Sequence, residues 1–466
     1  MNAHHMKAHI QIRRITLVLL VLASTGAWAQ THQLQELLDE GQKNYPLVKA
    51  RDAERNSAAW EAKAAASEYL PRISAQHQYT YATSNSMAGA FYPNPTVISP
   101  SGGIRGETSS PATWGSYTSA LLEWNVFNFG KVSGGVKAAR AQRESADAAY
   151  VNEVFQHQIR VADAYLLTLM TDKLASIQQA NLERALRFRQ VVEAGVRSGL
   201  RAGVDSALAH AEYEKAKILF LESERNSKTQ TLRLMELAGA ADQELYTLDS
   251  MRFYTELPHA IDSIGTISRA HPLLRSFQIR AEATRARSIA VKRSFLPSIT
   301  LVGAAWARGS GVYNDDSFHT SFSDGTKYQV NNYLLGIATR WTISDYVPIR
   351  QRYKSEYYRA VRDQELYQEQ NLRIHRQVRE TDMQYGLSLQ QAYTAPQQLT
   401  AARQAYQQAS ARYKSGLTDL PTLLQSMVSL NRAEADLAVA YSNVWRTLLA
   451  VAAAKGDLSV FLQAVQ

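Results

Sequence analysis

The side chains that most often do chemistry are sparse in this chain of 466 residues and do not cluster. There is no cysteine, which excludes a disulfide framework, a thiolate nucleophile, thiolate metal ligands and lipidation through an N-terminal cysteine. Of the 11 histidines, His4, His5 and His9 lie in a leader-like N-terminus, and the rest do not fall at ligand spacings. No His-Glu-x-x-His, Walker loop or Gly-x-Ser-x-Gly occurs, so neither catalysis nor a cofactor is expected. The residues that do recur at regular spacing are proline, tryptophan and glycine, whose chemistry is that of the backbone and the membrane interface. Pro46 precedes Pro71 by 25 positions and Pro272 precedes Pro297 by the same 25. Trp124, Gly199 and Gly239 each find an identical residue 217 positions on, at Trp341, Gly416 and Gly456.

A helix advances about 1.5 Å and turns about 100° per residue. Spacing held without insertion from Trp124 to Gly239 therefore points to two copies of one long helical unit, an internal two-fold repeat. The only change in length lies between the prolines and the tryptophans, 53 residues in the first copy against 44 in the second, which is where loops should be.

Residues 1–29 read as a secretory signal, with Lys7, Arg13 and Arg14, an apolar run from Ile15 to Ala23, and Ala27-Trp28-Ala29. That run is too short to span a bilayer, and no other stretch approaches the roughly 18 uncharged apolar residues of a membrane helix. Any embedding must then use strands. Of the 51 basic residues three fall in the leader, leaving 48 against 42 acids, a dispersed excess without the basic block of a nucleic-acid tail.

The first repeat is expected at 30–240. A helix from Leu34 ends at Leu70-Pro71. A hairpin follows over 73–130: Ile73, Ala75, His77, Tyr79 and Tyr81 alternate with Ser74, Gln76, Gln78 and Thr80, and alternation returns at Ala120, Leu122, Trp124 and Val126. Between them, 83–115 has the composition of a long exposed loop. A helix pair over 131–240 begins with Lys131 to Arg197, 67 residues without proline and about 100 Å long if continuous. After a linker at 241–263, the second repeat (264–466) has a helix to Ser294, a hairpin over 298–345 with Trp341 on the second strand, and a helix pair over 346–456. Its last helix shows heptad spacing at Leu423, Met427, Leu430, Leu437, Tyr441, Val444, Leu448 and Val451, interrupted by Glu434. Pro396 predicts a kink or break in the helix before it.

Four half-polar strands cannot close a barrel alone, and open edges cannot stand in hydrocarbon with unpaired N–H and C=O groups. Chains must pool their strands. A barrel assembled from several chains and continued by helices describes a pipe. The class expected is therefore mainly α with a membrane β-barrel part.

The openings Asn44-Tyr45-Pro46 and His271-Pro272, the joints Leu70-Pro71 to Ile73 and Leu296-Pro297 to Ile299, the strand end Trp124-Asn125-Val126-Phe127-Asn128-Phe129-Gly130 and the two Ser-Gly-Leu turns together resemble the TolC-like outer-membrane efflux proteins, the outer membrane factors. The resemblance covers the mature chain. It implies a homotrimer with four strands per chain in a trimeric 12-stranded barrel in outer-membrane lipid, and a long coiled α-helical periplasmic tube. It also implies a periplasmic adaptor (membrane fusion) protein and an inner-membrane pump of RND, ABC or major-facilitator type, in an efflux or type I secretion machine.

Under that resemblance Ser198, Gly199, Leu200, Ser415, Gly416 and Leu417 form the periplasmic tip that contacts the adaptor, although the glycines would also serve simply as helix terminators. Asp205 and Tyr413 match positions that tie neighbouring helices in a tip gate, a hydroxyl donating to a carboxylate. Six and nine residues after Gly416, where family members often carry acids, stand Thr422 and Gln425. Pro71 and Pro297 turn helix into strand. Trp114, Tyr117, Trp306, Tyr328 and Tyr333 suit membrane-interface belts, with Trp124 and Trp341 at a belt or at the joint itself. A stand-alone porin and a barrel-anchored adhesive or structural coiled coil remain as rivals.

Overall fold

A computed structural model describes residues 31–83, 107, 110–240, 246–248, 250–258, 267–268, 270–313, 315 and 317–465. The leader expected at 1–29, most of the loop at 83–115 and residues 241–245, 249 and 259–263 of the linker lie outside these residues. The principal elements are α1 (Leu34–Asn44), α2 (Pro46–Ala66), β1 (Arg72–Ala82), β2 (Thr113–Phe127), α3 (Lys131–Arg197), α4 (Gly203–Ala238), α5 (Pro272–Arg293), β3 (Ser298–Ser310), β4 (Val330–Arg340), α6 (Tyr346–Lys414) and α7 (Leu420–Lys455). The chain divides into a unit of residues 1–54, 147–277 and 367–466 and a unit of residues 55–146 and 278–366.

The first unit is mainly helical, with a short parallel pairing of Thr31–His32 and Thr247–Leu248. Its core takes Leu37 and Leu38 from α1, Val161, Tyr165 and Leu169 from α3, Leu234 and Met235 from α4, and Val444, Trp445, Leu448 and Val451 from α7. The heptad positions Leu423, Met427 and Leu430 of α7 are buried too. Glu434, which breaks that apolar seam, is held by Arg184 of α3 through two hydrogen bonds of 3.1 and 2.6 Å. Such a pair fixes the axial register of two packed helices. By composition α7 is long and apolar enough to cross a membrane, contrary to the expectation that no stretch comes near it. Yet 56% of its most apolar window is buried inside the fold, the pattern of a core helix.

Two details differ from the sequence reading. The helix expected to run from Leu34 to the first joint is divided at Tyr45 (φ −67°, ψ 125°), because Pro46 excludes the helical conformation for the residue before it. Conversely, α6 runs through Pro396 without a break. Ala392 and Ala395, on the turn that loses a backbone bond, are buried in the core, and this packing holds the helix across the defect.

Two histidines sit deep in this unit. His157 is 1% exposed and stacks on Tyr45 at 4.3 Å, and His271 is 2% exposed against Gly456, where a Cβ would lie 2.7 Å from the ring. Burial lowers both pKa values, with the Arg160 charge adding to the effect at His157. The folded rings resist protonation that the unfolded chain accepts near its ordinary value of 6.5. Stability from these sites is therefore complete above that pH and is lost as pH falls from 6.5 toward the lower folded-state values. The melting temperature of the purified protein is expected to fall steadily over that acid interval; a melting temperature flat across it would contradict this account.

The second unit holds one antiparallel sheet in the order β1-β2-β3-β4, with a bulge between Asn125 and Phe127. Register rows such as Ile73–Leu122–Gly303–Leu335 put Ile73, Leu122, Trp124, Leu301, Tyr333, Leu335 and Ile337 on one face. Ser74, Gln76, Gln78, Glu123, Asn125, Thr300 and Arg340 share the other. Trp341, expected on the last strand, lies one residue past its end.

Candidate functional site

The first candidate is the pair of turns in the helical unit. At the end of α3, Gly199 has φ +72°, its N–H meets the Val196 carbonyl at 3.0 Å, and the Leu200 N–H meets the Gly195 carbonyl at 2.9 Å. At the end of α6, Gly416 also has φ +72°, with Gly416 to Tyr413 at 3.0 Å and Leu417 to Arg412 at 2.8 Å. Both are complete Schellman motifs, in which the left-handed residue favours glycine. Each motif satisfies its helix's last carbonyls and leaves a leucine in solvent, Leu200 at 80% and Leu417 at 69% exposure. Nothing in the fold requires an apolar residue at either place.

The helices that leave the turns differ. Asp419 caps α7 by accepting from the Thr422 N–H at 3.3 Å, and these hydrogen bonds hold its carboxyl below the usual range. Ala202, which precedes α4, gives no side-chain cap.

Beneath the turns, Val192, Ala209, Tyr413, Leu420 and Leu423 form a small core. Arg201 lays its guanidinium over the Tyr413 ring at 3.9 Å and donates to the Tyr413 carbonyl at 2.7 Å. The Tyr413 hydroxyl is buried and has no hydrogen-bond partner among the described residues. Burial raises its pKa, the Arg201 charge opposes that, and Asp205 adds to it. The structure thus brings Asp205 close to Tyr413 without a bond between them. It also places Arg201, which the sequence did not single out, directly on the tyrosine.

The second candidate lies at the helix-to-strand joints of the sheet-bearing unit. The Leu70 N–H bonds Ser67 at 2.9 Å and the Leu296 N–H bonds Arg293 at 3.1 Å, so each helix ends just before Pro71 or Pro297, whose ring cannot continue it. The indole of Trp124 donates to the Tyr69 carbonyl at 2.9 Å, and that of Trp341 to the Phe295 carbonyl at 3.1 Å. Each tryptophan therefore latches the end of a long strand to the residue two before the proline. Phe substitution at both keeps the rings and removes the donors, and should cost about 1 kcal/mol per site in unfolding free energy; a Trp124→Phe/Trp341→Phe protein as stable as the parent would rule the latch out.

Trp114 lies at the opposite end of the sheet from Trp124, packed on Tyr81 and Phe322 at 5.0 Å each. Tyr117 and Trp306 point to the polar face and Tyr333 to the apolar one. No cluster of histidine and acidic residues suited to a metal occurs among the described residues.

Comparison with known proteins gives the context. Outer membrane protein TolC of Escherichia coli (strain K12) is 20% identical over 453 residues, covering 95% of this chain and 86% of that protein. The crystal structure of the outer membrane protein VceC from Vibrio cholerae superposes with a TM-score of 0.72 at 18% identity, over 92% of this chain and 97% of that one. The Campylobacter jejuni CmeC outer membrane channel gives 0.75 at 16% identity, over 91% and 85%. At such identities the structures establish a shared fold. The model of the family described as outer membrane efflux protein matches residues 37–240 and 264–457, and with most of its length so matched the chain belongs to that family.

Proposed function

We propose that the protein is the passive exit duct of a tripartite efflux or type I secretion machine: a homotrimer in the bacterial outer membrane whose helices extend into the periplasm. There it would meet an adaptor and, through it, an inner-membrane pump of RND, ABC or major-facilitator type. The observation that carries this reading is the sheet. β1 and β4 are its two edges, and its apolar face is open, with Ile73 at 70%, Leu335 at 79% and Ile337 at 74% exposure. Unpaired edges and a greasy face are intolerable in water or in lipid unless copies join edge to edge around a closed barrel. From Trp124 to Trp114 is about 33 Å of strand, which at a tilt near 40° gives roughly the 25 Å apolar band of such barrels. The opposite, polar face then lines the lumen.

The mature protein is read as two repeats, 30–240 and 264–466, and the Ser-Gly-Leu turns as the adaptor-facing tip. The Tyr413 hydroxyl has a proton to donate and Asp205 stands within electrostatic reach, so this pair is assigned to the gate. No reaction or cofactor is involved, and energy comes from the pump.

Conductance of the purified protein in a planar bilayer tests this. A gated duct conducts little until its tip is loosened, and Tyr413→Phe, which removes the hydroxyl that would link to a carboxylate in the closed ring, should raise the current. Free conductance in the unmodified protein would favour a stand-alone porin, and a cell without the gene that keeps its full export would favour an adhesive or structural coiled coil.

A further inference from the structure

In the sheet-bearing unit, a recess of about 530 Å³ opens between α3, α5 and α6, lined among others by Arg280, Arg287, Glu356, Arg359, Arg362 and Asp363. Helical spacing assembles it. Arg280 and Arg287 stand seven residues apart on one stripe of α5, and Glu356, Arg359 and Asp363 follow the three-and-four spacing of one face of α6.

The two acids lie underneath, with side chains 1% exposed at Asp363 and 10% at Glu356, whereas the four arginine side chains are 52–66% exposed. Asp363 Oδ1 takes Arg362 through Nε at 2.9 Å and Nη2 at 2.6 Å, and Glu356 takes Arg359 through Nη1 at 2.7 Å. Arg280 and Arg287 approach the same two carboxylates less closely, their nearest nitrogen, Nε, standing 3.6 Å away in each case. Among the described residues, neither guanidinium makes a hydrogen bond.

A carboxylate can accept from two guanidinium groups, but among the described residues Asp363 and Glu356 are hydrogen-bonded only by Arg362 and Arg359. Here four guanidinium groups surround two acids, and two positive charges remain in the recess. The planar fork of a guanidinium matches a tetrahedral oxyanion with paired hydrogen bonds. We propose that this recess binds a doubly charged oxyanion group, a phosphate or sulfate. Its volume leaves room for the molecule that carries the group.

The test uses the full-length detergent-purified protein near neutral pH, with thermal unfolding followed against inorganic phosphate and, separately, a short-chain phosphatidic acid below its micelle concentration. A saturable rise in melting temperature is expected, absent with chloride at equal ionic strength and shifted at least about tenfold to weaker affinity in Arg280→Gln/Arg287→Gln. Equal affinity for the two ligands identifies a free ion as the natural source, and tighter binding of the lipid identifies a headgroup. No saturable response, or one unchanged in the variant, overturns the proposal. Because the variant could assemble poorly, the parent protein is also treated with phenylglyoxal and mapped by mass spectrometry: phosphate should protect Arg280 and Arg287, and modification unaffected by phosphate overturns the site.

Discussion

Replacing Leu200 and Leu417 together by aspartate is expected to abolish export while leaving a correctly assembled protein in the outer membrane. Both side chains stand in solvent at 80% and 69% exposure, so their removal costs the fold almost nothing. Their worth must lie in what covers them. A buried apolar anchor at the centre of a protein interface contributes about 2 kcal/mol or more, a factor of roughly 30 in affinity for each. An aspartate in its place adds a desolvated charge. Susceptibility of cells to exported compounds, measured beside the amount of assembled protein in outer-membrane fractions, reads the two effects apart. Full export by the double variant would remove these turns from the adaptor interface. A companion change, Gly199→Asn/Gly416→Asn, keeps a residue tolerant of the left-handed conformation and should leave both assembly and export near normal, since a side chain at either glycine meets nothing within 4 Å.

The turns illustrate what the sequence could and could not reveal. Two glycines at equal spacing, each followed by a leucine, are local signals, and a local backbone rule turns them into Schellman motifs. α3 was legible for the same reason: Lys131 to Arg197 contains nothing that stops a helix, and the structure has one helix over those bounds. The partners that the structure adds are non-local. Arg201 reaches Tyr413 across 212 positions and Arg184 reaches Glu434 across 250, and no period in the chain relates either pair. Glu434 could be read only as an interruption of an apolar seam, because its compensation lies on another helix.

Proline shows the same division. Pro46 acts on its own neighbour and divides α1 from α2, an effect obscured by the helix-favouring composition on both sides. Pro396 sits among residues whose burial supplies enough packing to keep α6 whole, and burial is not written in the local sequence. The four arginines of the recess likewise look like ordinary surface charge on two helices until the fold sets α5 beside α6.

Arginine at both Ile73 and Leu335 is expected to prevent the protein from accumulating in the outer membrane, whereas arginine at Ser74 and Leu334 is tolerated. The contrast rests on the register. Ile73, Leu122, Gly303 and Leu335 form one row across the sheet, and Ser74, Leu121, Ala304 and Leu334 form the adjacent row, one residue on and therefore on the opposite face. If the first face meets lipid, each arginine on this row, two residues in from the Trp124 level, costs on the order of 1–2 kcal/mol, between the midplane and interfacial values, and two per chain repeat in every copy of a closed barrel. The sum is comparable with the whole stability of an ordinary domain. On the second face the same charge reaches the aqueous lumen, beside residues such as Gln76 and Glu123. Fractionation of membranes with detection of the assembled species decides between the faces. Equal losses in the two variants would mean that the sheet is not one wall of a barrel. Loss confined to the Ser74 and Leu334 pair would mean that it is inserted the other way round, with its apolar face turned to the pore.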